Sequence, residues 1–408
     1  MMKIKLFKKN YFFYIKNHTF AIITNQSIIM DRLVNPFFVS GKIPPEYFCD
    51  RKWEAQQIIQ HLSNQENIVL MSQRRMGKTK LVDHCCEQSE LTKHYILITI
   101  DILHTTSFRE FVQLFGSVVF DNIATRSSRM MKLFTATMRS LSGSFGYDPI
   151  QNTPTFDIKL GDLIRPEYTL EEIFKVIENA EKPCLIVFDE FQQITKYPEH
   201  NVEALLRSHI QRLGNAGFVF SGSQRRLMES MFFSEKRPFY MSARSIVLQP
   251  IPINDYKDFV FHHFHDHNKD IEGVAVELVY DTFQGVTLYL QRMMKDAFGV
   301  TPEGGKCDVG TIRSLIDAYI QESDPRLREQ LAFVTETQKE LLYAIHEEND
   351  PVKAITSAKF IKKHRLKSSS SVQSAAKKLL EYDLLTQKEG YYAIADPLMQ
   401  LWLKSRRF

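Results

Sequence analysis

Asn67-Ile68-Val69-Leu70-Met71-Ser72-Gln73-Arg74-Arg75-Met76-Gly77-Lys78-Thr79 is the stretch on which the fold turns. Four apolar residues with no helical period predict a short buried strand. A polar, basic loop follows, and Gly77-Lys78-Thr79 opens a helical pattern. The loop fits GxxxxGK[ST] at every position except the first, where Ser72 replaces glycine. In such a loop, successive backbone N–H groups and a helix N-terminus cradle phosphate oxygens. Gly77 permits close backbone approach, Lys78 neutralises β/γ oxygens, and the Thr79 hydroxyl ligates Mg²⁺. Ser72, Gln73, Arg74, Arg75, Met76, Gly77, Lys78 and Thr79 are therefore the candidate ATP-binding residues. A chance turn is the competing reading, and the strand–loop–helix context argues against it.

Further along, Leu185-Ile186-Val187-Phe188-Asp189-Glu190 is an apolar run ending in two carboxylates. A strand here carries Asp189 to its carboxyl end, where open α/β sheets bind ligands. Asp189 is the second candidate Mg²⁺ residue, and Glu190 the group that polarises an attacking water. The plainer alternative is a solvated acidic turn. Ser221-Gly222-Ser223-Gln224 ends the next apolar run. Ser223 is a candidate γ-phosphate sensor, against a tight turn that merely uses Gly222. Arg237 and Arg244 follow, and Arg244 would serve a neighbouring subunit's γ-phosphate as a finger. A surface ion pair fits Arg244 as well. Phosphate transfer to a small substrate suits any P-loop, but the acidic pair fits water activation better.

Working outward, the apolar runs near 67–71, 95–101, 184–188, 217–221 and 245–248 alternate with helical patterns. That alternation predicts an α/β fold, a parallel sheet sandwiched by helices. Helices are expected over Lys52 to Leu62, from Phe108 to about Leu141, and from Thr169, which has capping-box spacing with Glu172. Residues 142–155 read as a loose loop. Beyond Pro252 the pattern turns helical, then near Thr335 becomes three short helices, a hairpin and a last helix. The expected domains are residues 1–29 as an extension with a natural start at Met30, 30–250 as the core, 251–330 as a helical lid, and 331–408 as a winged helix-turn-helix.

The 408 residues have near-average apolar (44%) and charged (25%) content, which excludes a disordered or fibrous chain. A net charge of +4 leaves the nucleic-acid question to local charge. Lys359, Lys362, Lys363, Arg365 and Lys367, with Lys377 and Lys378, form a basic cluster in the last module. It would neutralise DNA phosphates; a protein-contact role with solvated lysines is the alternative. Gln373 is the main candidate for reading a base. Five cysteines without metal spacing fit a reducing, cytoplasmic setting, and no eighteen-residue apolar run suggests a membrane span. Cys85 and Cys86 are either redox-active or two small buried residues.

Together these motifs resemble the archaeal-type ATPases of the STAND branch of the AAA+ class, found in archaea and Bacteroides-like bacteria. The resemblance runs from about Asn35 to the C-terminus. It is carried by Phe48-Cys49-Asp50-Arg51 with Glu54, by Gln73 to Thr79, Phe188-Asp189-Glu190-Phe191, Phe220-Ser221-Gly222-Ser223 and Ala243-Arg244. Gly285-Val286-Thr287-Leu288-Tyr289-Leu290 and Asp396 to Leu403 are similar to later family segments. The resemblance implies a P-loop core, lid and winged helix, with ATP-driven switching and hydrolysis to ADP and phosphate. Ser72 for Gly and Thr287 for Pro depart from the family and bear on turnover more than on binding. A homo-oligomer or a DNA-binding regulator with structural nucleotide are further expectations.

Overall fold

The three central apolar runs are buried along nearly their whole length, as strands covered on both faces must be, while the two runs at the sheet edges are only partly buried. In the computed structural model, which describes residues 35–148, 153–348 and 351–406, they form β1 (Ile68–Met71), β2 (Ile96–Asp101), β5 (Cys184–Asp189), β6 (Ala216–Gly222) and β7 (Arg244–Val247). Between β2 and β5 lies an antiparallel pair, β3 (Phe145–Asp148) and β4 (Thr153–Phe156), where the sequence predicted only loop. The other five strands make one parallel sheet in the order β2-β5-β6-β1-β7. Its register aligns the strand ends: Met71 pairs with Gly222, and Asp101 with Asp189.

Helices cover the sheet: α1 (Lys52–Ser63), α2 (Lys78–Cys86), α3 (Phe108–Ile123), α4 (Ser128–Thr137), α5 (Pro166–Glu178), α6 (Val202–Ile210) and α7 (Arg225–Phe233). Aromatic packing fixes the end of β5. The Phe188 ring meets Phe111 and Phe115 of α3 at 5.6 and 5.4 Å and stacks with Phe218 and Phe220 of β6 at 6.2 and 6.3 Å. Each such pair adds about 1 kcal/mol beyond burial. The side chain next to Phe188, that of Asp189, is thereby held at the sheet's edge.

Two helix expectations are corrected. The run from Phe108 does not continue to Leu141: it breaks after Ile123, and Ser127 caps a new helix by accepting the Met130 N–H. α5 starts at Pro166 and not Thr169, because proline at the first helical position needs no N–H partner. Glu172 instead accepts hydrogen bonds from the Arg139 and Ser140 backbone.

By contacts the chain divides into two units, Asp50–Ile251 with Val286–Leu288, and the remainder. The second unit contains α8 (Ile253–Asp266), α9 (Gly273–Thr282), most of α10 (Thr287–Val300), α11 (Val309–Glu322) and α12 (Asp324–Ala332). A short parallel pair joins β8 (Asp270–Ile271) and β9 (Lys306–Cys307). Phe37 is buried there against Phe259, Phe264 and Phe298.

The last module comprises α13 (Glu336–Glu347), β10 (Val352–Lys353), α14 (Ala358–Lys363), α15 (Ser369–Glu381), the hairpin β11 (Leu385–Lys388) and β12 (Tyr391–Ile394), and α16 (Pro397–Ser405). Its sheet order is β10-β12-β11. Lys388 pairs with Tyr391, so the wing turns through two residues, Glu389 and Gly390, both at positive φ (52° and 84°). A two-residue turn of this hand requires that conformation, and glycine adopts it without strain. Asp396 caps α16 through the Leu398 N–H and accepts the Tyr289 hydroxyl at 2.7 Å. The expected extension over residues 1–29 lies outside the described residues. No helix among the described residues is long and apolar enough to cross a membrane.

Candidate nucleotide site

β1 delivers the loop Ser72–Gly77 to the carboxyl edge of the sheet, and α2 begins directly after it at Lys78. Arg75 and Gly77 have positive φ (67° and 85°), whereas Ser72 does not. The first loop position therefore does not demand glycine here, and Ser72 sits buried with its hydroxyl donating to the Gln73 carbonyl at 2.7 Å. Arg75 holds a left-handed conformation that costs a residue with a Cβ about 1 kcal/mol. Alternating backbone hand turns successive N–H groups toward one hollow. Gln73 and Arg74 are exposed, Arg75 is half-buried, and Met76 is buried.

Donors behind the loop hold its carbonyls. Leu288 N–H donates to the Arg75 carbonyl at 3.0 Å, and the Thr287 hydroxyl to the Met76 carbonyl at 3.3 Å. Arg51, 4% exposed, donates to Glu54 and to the Gln249 carbonyl, each at 2.7 Å, with its other nitrogen 3.5 Å from the Met76 carbonyl. Thr287, where the resembling family has proline, thus packs on the phosphate loop. Arg51 and Thr287 belong to the site's support. The sequence quoted both, but only their contacts show what they hold.

The second half of the site comes from residues more than a hundred positions away. The Thr79 hydroxyl donates to Asp189 Oδ2 at 2.8 Å. Lys78 is 6% exposed; burial pushes its pKa down, while the charges of Glu190 and Asp189 pull it back up. β6 separates β1 from β5 and brings Ser223 between the two motifs. Ser223 Oγ donates to Glu190 Oε2 at 2.7 Å, and Gln192 Nε2 donates to the same oxygen at 2.5 Å. Glu190 itself is in the left-handed region, φ 55°. Gly222 is required by close approach: a Cβ there would lie 2.5 Å from Gln192 Oε1 and from Met228. Gln192 was not among the sequence candidates, and its only signal was its place just after the acidic pair.

The fold thus gathers Ser72 to Thr79, Asp189, Glu190 and Ser223. It does not bring Arg244 to them. Arg244 opens β7 opposite Ile68, at the amino edge of the sheet, about 10 Å along the strand from the edge that bears the loop. Its guanidinium pairs with Glu66 at 2.9 Å. Arg237 pairs with Glu203. All five cysteines are free and buried, with burial pushing the Cys85, Cys86 and Cys184 thiols up to about 12.

The oxygen atoms of Thr79 and Asp189, adjacent beside the loop, are of the ligand type that Mg²⁺ takes. The sheet order, the loop and the C-terminal module define an AAA+-like P-loop fold followed by a winged helix. The model of a "Probable winged helix domain" matches residues 326–405. Two solved proteins share the fold over nearly their full lengths. The Walker-type ATPase of Pyrococcus abyssi is 16% identical, with a TM-score of 0.62 over 90% of this chain and 99% of that one. The Aeropyrum pernix ORC2 protein, in ADPNP–ADP complexes, is 13% identical, with a TM-score of 0.56 over 91% and 96%. Its ADP form gives 14% and 0.53 over 90% and 96%. At these identities the likeness is one of fold. No curated protein matches the sequence.

Proposed function

We propose that the chain is an ATPase switch that binds ATP with Mg²⁺ and hydrolyses it to ADP and phosphate. The observation that carries this reading is the 2.8 Å bond between Thr79 and Asp189 beside the buried Lys78, which joins two motifs far apart in sequence. Ser72 to Thr79 would wrap the phosphates with backbone N–H groups, and Lys78 would neutralise β/γ oxygens. Thr79 and Asp189 would hold Mg²⁺, which supplies charge neutralisation to the phosphates. Glu190 would take up the proton of the attacking water, and Ser223 would orient the γ-phosphate or that water. Arg244, at the far edge of the sheet, can serve only as a finger toward a neighbouring copy in a homo-oligomer. The working division is a core over 30–250, a lid over 251–330 and a winged helix over 331–408, in a cytoplasmic, reducing setting.

A second reading is a DNA-binding regulator in which nucleotide is structural. It is favoured by the exposed Lys359, Lys362, Arg365 and Lys377, which have no ion-pair partner among the described residues. Lys363 and Lys378 are instead paired, with Glu348 and Glu381.

ATP binding and Mg²⁺-dependent turnover, compared among wild type, Lys78→Ala and Glu190→Gln, test the choice. An ATPase loses binding in the first variant and only turnover in the second. A chain whose wild type binds ATP without turnover, and whose DNA affinity falls steeply with salt, is the regulator. Wild type that does not bind ATP ends both readings of the loop.

A further inference from the structure

Helix α8 ends in Phe261-His262-His263-Phe264-His265-Asp266, and His267 follows. His262 and Asp266 are one helical turn apart, the spacing that stacks two side chains on one face. His262 Nε2 stands 3.2 Å from Asp266 Oδ2, and the two side chains are 65% and 53% exposed. The third member is His263, only 4% exposed. One ligand-capable atom from each residue lies within 4.8 Å of the other two.

The His263 ring is enclosed by aromatic groups: Phe259 edge-on at 4.5 Å, Tyr47 at 5.3 Å and Phe37 at 6.2 Å. Neither of its nitrogens has a hydrogen-bond partner among the described residues. They are not sealed from solvent, so a ring nitrogen stays open to a ligand. The other histidines nearby are committed elsewhere. His265 faces Asp270 at 3.6 Å, and His267 Nδ1 meets the His263 carbonyl at 2.8 Å.

We propose that His262, His263 and Asp266 bind a divalent transition metal of the Zn²⁺ class through two imidazole nitrogens and one carboxylate oxygen. Two nitrogens and one oxygen suit Zn²⁺, Ni²⁺ or Co²⁺, whereas Mg²⁺ and Ca²⁺ select oxygen-only sets. Tetrahedral Zn²⁺ bonds of ~2.0–2.1 Å place ligand atoms ~3.3 Å apart. Rotation of the exposed His262 and Asp266 side chains closes the remaining distance, and the fourth position is left to water. None of the three residues belongs to the nucleotide site, so the proposal stands apart from the ATPase reading.

The test uses the full chain, stripped of metal and nucleotide, titrated with Zn²⁺ in a calorimeter and with Co²⁺ in the visible range. One equivalent is expected, with Co²⁺ bands of mixed nitrogen–oxygen coordination. His262→Ala combined with Asp266→Ala should weaken Zn²⁺ binding by about a hundredfold or more. His265→Ala should leave it intact. Both replaced residues of the double variant are exposed, and circular dichroism checks its fold; His262→Asn alone repeats the test more gently. If wild type takes up no stoichiometric Zn²⁺, or the double variant keeps its equivalent, the site does not exist.

Discussion

At the carboxyl edge of the parallel sheet, Lys78, Asp189 and Ser223 are 6%, 7% and 7% exposed, and Asp189 and Ser223 are bonded to Thr79 and Glu190 of the same site. On the winged helix, Lys359, Lys362, Arg365, Gln373 and Lys377 stand in solvent. The two regions share a reliance on polar residues and differ in what fixes them. In the first, each polar group limits its neighbours, so residue types dictate a chemistry. In the second, the apolar core dictates the fold and leaves the surface free to vary. A buried, interlocked polar cluster is therefore informative about function, while a solvated basic face is informative only about charge.

How far the sheet and its covering helices are sealed can be read from their buried thiols. Burial raises Cys85, Cys86 and Cys184 from the ordinary 9.0 to about 12, which lowers their thiolate population about a thousandfold. Alkylation of the native chain should be slower by that order than of the unfolded chain. Rapid labelling of Cys85 or Cys86 would instead revive a redox role for the pair.

Lys78→Ala should weaken ATP binding by about a hundredfold or more, read by calorimetry. Glu190→Gln should cut turnover by about a hundredfold with ATP affinity held within about threefold. Equal loss of both quantities in Glu190→Gln would mean that the carboxylate supports the loop and not the water. Gly222→Ala forces its methyl against Gln192 and Met228 and should cost about 1–3 kcal/mol, seen as a lower denaturant midpoint. The smallest effect belongs to the second region. Lys362→Ala, Arg365→Ala and Lys377→Ala should each change stability by less than about 0.5 kcal/mol. If the module binds DNA, the triple variant should also flatten the plot of log affinity against log salt by about 2.7.

Much of this was legible in the residues. Val69, Leu70 and Met71 read as a buried strand, and Gly77-Lys78-Thr79 after a polar loop as a helix start, against the competing reading of a chance turn. The wing was readable because Gly390 lies between two apolar runs, and a two-residue turn there needs positive φ. What was misread depends on tertiary partners. Thr169 has the spacing of a cap, but Pro166 opens the helix, and Glu172 turns to the backbone of Ser140. Gln192 and Arg51 gain their roles from contacts with Glu190 and with the Gln249 and Met76 carbonyls, which spacing does not encode. Periodicity encodes elements; only packing encodes which polar atoms meet.

The most direct test of the account is the affinity of the full chain for ATP with and without Mg²⁺, in wild type and in Asp189→Asn. The Thr79–Asp189 arrangement predicts that Mg²⁺ tightens ATP binding in wild type and that the variant loses most of this gain. ATP affinity indifferent to Mg²⁺ in wild type, or a gain fully retained in Asp189→Asn, would contradict it.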